Sequence, residues 1–297
     1  ANTVILHSKI FDNVWIQPAA GDAGGAIGAA LAVWHIHYNK KRKVSSKYCP
    51  MNGTYLGPEF KDDQIETELK NSGAVFTKVT ENELIEKVAS ALVDQKVIGW
   101  MQGRMEFGPR ALGARSIIAD PRSKTMQKQL NLKIKYRENF RPFAPSILLE
   151  DVNEWFEYRS DSNYMSFVAN VKKNKRLKNI KNTEHINLYN LHKLNIALST
   201  IPAVTHVDYT SRIQTVNANI NPLFYNLISS FKKKTGCPLI INTSFNIRGE
   251  PIVCSPKDAF RCFMGTELDM LAIGNFLLFK KNKKKIKNNY KKNYLLD

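Results

Sequence analysis

The 297-residue chain carries 44 Lys and Arg against 26 Asp and Glu, a formal net charge of +18, with 43% hydrophobic and 10% aromatic residues. That balance belongs to a globular chain with enough apolar residues for a substantial core, in one large domain or two ordinary ones. No apolar run approaches the roughly 18 residues that a membrane-spanning helix needs, and no secretory leader is visible. Cys49, Cys237, Cys254 and Cys262 are scattered without disulfide or zinc spacing, so the thiols read as reduced and the expected location is cytoplasmic. The basic excess sits largely in three runs (40–47, 172–181 and 280–292), which read as solvated loops or tails; moderate RNA binding through them is a competing, non-enzymatic reading.

In chain order, residues 14–17 are expected as a strand, 18–25 as a tight Gly-rich loop and 26–38 as a small-residue helix. The loop fits neither the dinucleotide-binding nor the P-loop spacing. Asp22 within it suits a helix N-cap or a metal ligand. Residues 48–58 carry Pro and Gly and read as a linker, and 62–71 as a short helix. Thr80 and Glu83 form a capping box, after which Leu84, Ile85, Val88, Ala89, Leu92 and Val93 line one helical face. That helix feeds a buried strand at 97–101.

The strand opens onto the densest chemistry in the chain. Gly103, Gly108 and Gly113 punctuate a turn, and Arg104, Arg110, Arg115, Arg122, Lys135, Arg137 and Arg141 follow. Glycines admit close backbone approach, and Pro109 is placed as the first residue of a helix whose N-terminus would attract an anion. Guanidinium forks match phosphate oxygens, so the stretch predicts a polyphosphate or acyl-phosphate site.

Residues 123–135 follow as a helix, the prolines of 140–145 impose an extended path, and 146–149 and 165–171 are strands around a short helix at 151–156. Residues 172–198 lack a clear period and read as an insertion. Residues 202–208 resume an extended pattern containing His206, and Arg212 follows. An amphipathic helix at 222–235 closes at Gly236, a buried strand at 238–241 runs into Asn242, Ser244 and Asn246, Ser255-Pro256 opens a last helix, and 276–279 is a final strand. The alternation predicts a mixed α/β sheet domain.

Four motifs, GRMEFGPRALGARSIIADPR (103–122), KYRENFRPFAPS (135–146), PAVTHVD (202–208) and PLIINTSFNIRGEPIV (238–253), resemble the C-terminal domain of the carbamoyltransferase family, whose members carbamoylate hydroxyls of antibiotics and nodulation factors. GDAGGAIGAAL (21–31) is similar to the end of that family's actin-like N-terminal domain. The resemblance implies a YrdC-like twisted sheet over 81–280, a remnant of the actin-like domain at 1–47, a linker at 48–80 and a basic tail at 281–297, the chain being a fragment of a longer protein. It further implies that carbamoyl phosphate and ATP, with Mg2+, yield carbamoyl-adenylate, and that the actin-like domain passes the carbamoyl group to a small-molecule hydroxyl acceptor with a divalent metal, iron being one candidate. By that resemblance Arg110, Lys135, Arg141 and Arg212 are catalytic, Arg104, Asn242, Ser244 and Asn246 hold the nucleotide, and Asp22 is the metal ligand. A homodimer is the candidate assembly and nucleic acid is not an expected partner. The alternative reading is threonylcarbamoyl-adenylate synthesis for tRNA modification. One departure stands out: where the family has a glycine two places after the VTHVD aspartate, this chain has Thr210.

Overall fold

The computed structural model describes residues 2–12, 14–43, 51–177, 196–280, 290 and 294. Nine strands form one mixed sheet: β1 (Thr77–Lys78), β2 (Ile98–Met101), β3 (Arg115–Ala119), β4 (Ala144–Leu148), β5 (Phe167–Asn170), β6 (Thr210–Val216), β7 (Leu239–Ser244), β8 (Met270–Ile273) and β9 (Phe276–Phe279), in the spatial order β1-β9-β8-β2-β3-β7-β4-β6-β5. The pairs β2/β8 and β4/β6 are parallel and the others antiparallel. Every residue of β2, β3, β4 and β8 is buried, as expected of central strands covered on both faces. The mixed α/β fold is therefore as the alternation predicts.

The helices are α1 (Asn2–Ser8), α2 (Asp22–Ala32), α3 (Asp62–Asn71), α4 (Glu81–Val93), α5 (Met126–Gln129), α6 (Val152–Trp155), α7 (Pro222–Thr235) and α8 (Pro256–Gly265). The end signals act as the sequence suggests. Thr80 Oγ1 accepts the Glu83 N–H while Glu83 Oε2 accepts the Thr80 N–H. Asn221 caps α7 by accepting the Phe224 N–H, and Gly236 ends it at a left-handed φ of 74°. The stripe Phe224, Leu227, Ile228 and Phe231 of α7 is fully buried, against α4, β4 and β7; each such side chain contributes on the order of 1.5–3 kcal/mol by leaving water. At the far end of α8 the Lys280 ammonium donates to the carbonyls of Phe263, at 2.6 Å, and Thr266, meeting the negative end of the helix dipole.

Several expected elements take another form. Residues 14–17 form no strand, and the helix expected at 26–38 starts earlier, at Asp22, and ends in a π-helical turn (Val33–His37). Asp22 is accordingly the first helical residue and not the N-cap, a position held by Gly21. No helix follows Pro109; residues 103–114 are an irregular loop. The stretch 202–208 is a 3-10 turn (Pro202–Val204) and a tight reversal, because His206 Nδ1 and Asp208 Oδ1 both bond Thr210 at the start of β6. β7 extends to Ser244, placing Asn242 and Ser244 inside the strand. Most of the 172–198 insertion, Cys49 and much of the basic tail lie outside the described residues. Among the described residues no helix is long and apolar enough to cross a membrane.

Candidate active site

The loop joining β2 to β3 is organised from within by two buried charges. The Glu106 carboxylate (5% exposed) accepts the backbone N–H groups of Leu112 and Ala114, each at 2.7 Å, and of Arg115 at 3.3 Å. The fully buried Arg115 guanidinium donates to the carbonyls of Gln102, Gly103, Ala114, Cys254 and Pro58 at 3.1–3.3 Å. Its donors are consumed by carbonyls, so it ties loops together. The stretch read as a linker docks here: Gly57 N–H meets Met105 C=O, Met105 N–H meets Pro58 C=O (both 2.9 Å), and Tyr55 Oη donates to Leu112 C=O at 2.8 Å. Gly113, at φ 110°, lies so close to Phe224 that a Cβ there would fall 2.4 Å from the ring.

So held, the loop turns Arg110 into a cleft of about 130 Å³. Pro109 to Ala111 form one wall, Arg137 and 142–144 a second, Met165 a third, and β6 and β7 supply Arg212 and 242–244. Ala144 pairs with Asn242, and Ser146 pairs with Gln214. Two residues back along the parallel β4/β6 pair, Ala144 and Arg212 share the same face. The floor is thus a row, Arg212–Ala144–Asn242, whose centre is only a methyl group.

Three guanidiniums converge on this space. Burial first, then the Arg110 charge, pulls Arg212 down to about 10, and Arg212 Nε is buried without a hydrogen-bond partner. Burial first, then Arg141 and Arg212, pulls Arg137 to about 10, although Glu138 opposes this. Arg137 is aimed by Asn131, whose Oδ1 accepts its Nε–H at 2.7 Å, and it stacks 4.9 Å over the Phe143 ring. Both arginines remain charged at neutral pH, and a cluster of desolvated like charges is an anion receptor in waiting. Of the three, Arg110 is exposed and Arg137 and Arg212 are partly buried.

Beneath the cleft runs a buried polar network. Gln214 Nε2 donates to Leu112 C=O (2.8 Å), Ser146 Oγ donates to Gln214 Oε1 (2.5 Å), and Asn242 Nδ2 donates to Gln214 Oε1 (2.9 Å) and Ser146 Oγ (3.0 Å). Asn242 Oδ1 is left without a partner.

The other residues singled out by sequence are placed differently. Lys135 is buried and donates to Ser244 C=O, Asn246 C=O (2.9 Å), Asn246 Oδ1 (2.8 Å) and Ser244 Oγ (3.2 Å). It braces the strand end from behind, and burial pulls it down to about 7. Lys135→Met should therefore disorder the 244–250 turn and lower the thermal midpoint, as measured by calorimetry. Asn246 bonds Lys135, Ser244 and the Glu250 carbonyl and does not line the cleft, whereas Ser244 does. Arg141 is half exposed on the rim, paired with Glu138 at 3.1 Å, and Arg104 is exposed and paired with Glu59 at 3.8 Å. Asp22 is exposed on α2, and among the described residues no group of three or more His, Cys, Asp or Glu could hold a metal ion.

His206 sits beside Arg212. Burial, opposed by Asp208 and aided by Arg212, holds its imidazole below the usual 6.5. The unfolded chain then takes the proton first, so this contribution is complete above about pH 6.5 and is lost as pH falls through the lower folded value. His206→Gln should flatten the acid limb of the melting profile between pH 7.5 and 5, read by scanning calorimetry.

Glu106 and the Ser146–Gln214 pair build the site without an individual role in the sequence reading, which counts Arg137 only as one cation of the predicted phosphate-binding stretch. Arg137 lay within the basic motif, but Glu106, Ser146 and Gln214 carry no signal until the strands are paired.

The sequence profile of the carbamoyltransferase C-terminus matches residues 89–280, and that of the carbamoyltransferase N-terminus matches residues 1–31. The chain belongs to the carbamoyltransferase family. It is 40% identical to nodulation protein NolNO of Sinorhizobium fredii and 39% identical to nodulation protein NolO of Bradyrhizobium diazoefficiens, in both cases over 94% of this chain, covering 38% and 47% of those proteins. An uncharacterized protein of Synechocystis is 52% identical over the same share, covering 45% of its length. The chain thus spans less than half the length of these relatives.

Proposed function

We propose that this chain carries the nucleotide-activating half of a carbamoyltransferase: carbamoyl phosphate and ATP enter the arginine cleft and leave as carbamoyl-adenylate. The observation that carries this is the convergence of Arg110, Arg137 and Arg212 on one small cleft floored by β4, β6 and β7. In the balanced step, water cleaves carbamoyl phosphate to carbamate and phosphate. A carbamate oxygen then bonds to the α-phosphorus of ATP as the α–β bridging bond breaks and pyrophosphate departs. Both halves expel a phosphate-type anion, and fixed cations in a dry site stabilise the charge that develops. Arg212 and Arg110 hold the transferring group, Arg137 follows the leaving anion, and Ser244 meets a phosphate oxygen from the strand end. Lys135 acts through Ser244 and Asn246.

Mg2+ bound with ATP would supply further charge neutralisation. Among the described residues Asp22 belongs to no group of three or more metal-ligating side chains, so no step is derived through a metal there. Passage of the carbamoyl group to an acceptor hydroxyl belongs, on this reading, to the longer protein.

The test is pyrophosphate release from ATP by this chain with and without carbamoyl phosphate. Release that depends on carbamoyl phosphate is the expected result. Release that needs bicarbonate and threonine instead would transfer the cleft to threonylcarbamoyl-adenylate synthesis.

A further inference from the structure

We propose that Tyr290 is a positioning residue for the cleft: its hydroxyl fixes the Glu250 carboxylate, and through it the 246–250 turn that holds Ser244 at the cleft wall. This rests on the activation reading above only for what Ser244 meets there.

The turn after β7 is closed by one buried side chain. Glu250 is 5% exposed; its Oε2 accepts the Ile247 N–H at 3.0 Å, and its backbone N–H returns to the Ile247 carbonyl at 3.3 Å. The Glu250 carbonyl accepts Asn246 Nδ2 at 2.6 Å, which leaves Asn246 Oδ1 to accept the Ser244 hydroxyl at 2.7 Å. Ser244 lines the cleft. A carboxylate this buried keeps one orientation only where both of its oxygens have donors. Two phenols serve the second oxygen: Tyr290 Oη donates to Oε1, and Tyr294 Oη donates to it at 3.1 Å. The Cys262 thiol, a weaker donor, lies against the same carboxylate.

Tyr290 is seated for this task. It is buried, and its ring lies over Gly265, the last residue of α8, where a Cβ would fall 2.2 Å from it. Tyr294 packs edge-on against that ring, the centroids 5.5 Å apart. Burial, then Cys262 and Glu250, hold the Tyr290 phenol far above its ordinary value, so it remains a donor at neutral pH. Ring and hydroxyl thus have separate tasks: the ring anchors at the end of α8, and the hydroxyl faces the turn. Both tyrosines lie beyond residue 280, where the match to the carbamoyltransferase C-terminus stops. The matched region supplies the carboxylate, and residues outside it supply the donors.

The experiment is amide hydrogen exchange on the whole chain as wild type, Tyr290→Phe and Tyr290→Phe/Tyr294→Phe, with pyrophosphate release measured on the same proteins. Phenylalanine keeps the ring on Gly265 and removes only the donor. Exchange across 245–250 should accelerate about tenfold or more in Tyr290→Phe, and further in the double variant, while β2 is unchanged. The kcat of carbamoyl phosphate-dependent release should fall about tenfold in the double variant. Once Ser244 is alanine, Tyr290→Phe should cost nothing more. Unchanged exchange across 245–250 in the double variant overturns the proposal. Acceleration of β2 by the same factor also overturns it, since the tyrosines would then only stabilise the fold. Additive losses with Ser244→Ala overturn the route through Ser244. A wild-type chain without release removes the activation reading, and exchange then decides the positioning by itself. Should the double variant fail to fold, Tyr290→Phe decides.

Discussion

Arg212→Ala is expected to lower carbamoyl phosphate-dependent pyrophosphate release by about 100- to 1000-fold, the usual effect of deleting one preorganised donor to developing charge. The same substitution should leave the thermal midpoint unchanged or slightly raised. Arg212 is largely desolvated, faces the like charge of Arg110 and has an unpartnered Nε, so the fold gains nothing from the guanidinium that it does not lose to burial and repulsion. Activity and stability moving in opposite directions would separate a ligand-binding residue from a structural one. Arg212→Lys should recover little, because an ammonium cannot present the planar fork. Arg104→Ala serves as the control: that side chain is exposed and paired with Glu59, and the effect should stay within about twofold. A variant Arg212→Ala with unimpaired release would remove the cleft from the reaction.

Gly113→Ala should be the most damaging small change in the arginine loop. The substitution meets two costs together. A φ of 110° is outside the range that alanine adopts without strain, and the new Cβ would fall 2.4 Å from the fully buried Phe224 ring. Strain and overpacking together amount to roughly 3–5 kcal/mol, which corresponds to a fall in the melting midpoint of about 10 °C for a chain of this size. Gly103→Ala tests the strain alone, since φ there is 52° and nothing lies within 4 Å of the added carbon; about 1 kcal/mol is expected. Phe224→Leu combined with Gly113→Ala should restore part of the loss by removing the clash while keeping the strain. Equal midpoints for the two single glycine variants would contradict the packing of the loop beneath α7.

The arginine loop also shows how local signals mislead. Gly108-Pro109 carries the marks of a helix start, yet the chain there forms no helix. Glu106 and Arg115 absorb the backbone N–H and C=O groups of the loop, so the polar main chain is satisfied without one. Arg110 reaches the cleft all the same, because the carboxylate and the guanidinium fix the loop as firmly as a helix would. Lys135 shows the converse. Its motif marks it as a phosphate cation, and in the fold its Nζ donates to four oxygens of Ser244 and Asn246 at the end of β7.

The sequence by itself determined the elements with strong local physics. The capping box at Thr80, the helix start at Ser255-Pro256, the apolar stripe of α7 closed by Gly236, the buried strand β2 and the last strand β9 depend on neighbours within a few residues, and each forms where it is expected. It also determined the density of arginine that marks the site. Tertiary structure alone decided which arginines share a space. Arg110, Arg137 and Arg212 lie as far as 102 positions apart in the chain and meet because β6 and β7 flank β4, while Arg104 and Arg141, in the same motifs, turn outward to Glu59 and Glu138. It likewise decided the direction of the Asn242 amide, which follows from Gln214 on a strand two places away. Strand order and pairing register are non-local, and a one-residue slip of β6 or β7 would turn Arg212, Gln214 or Asn242 to the other face.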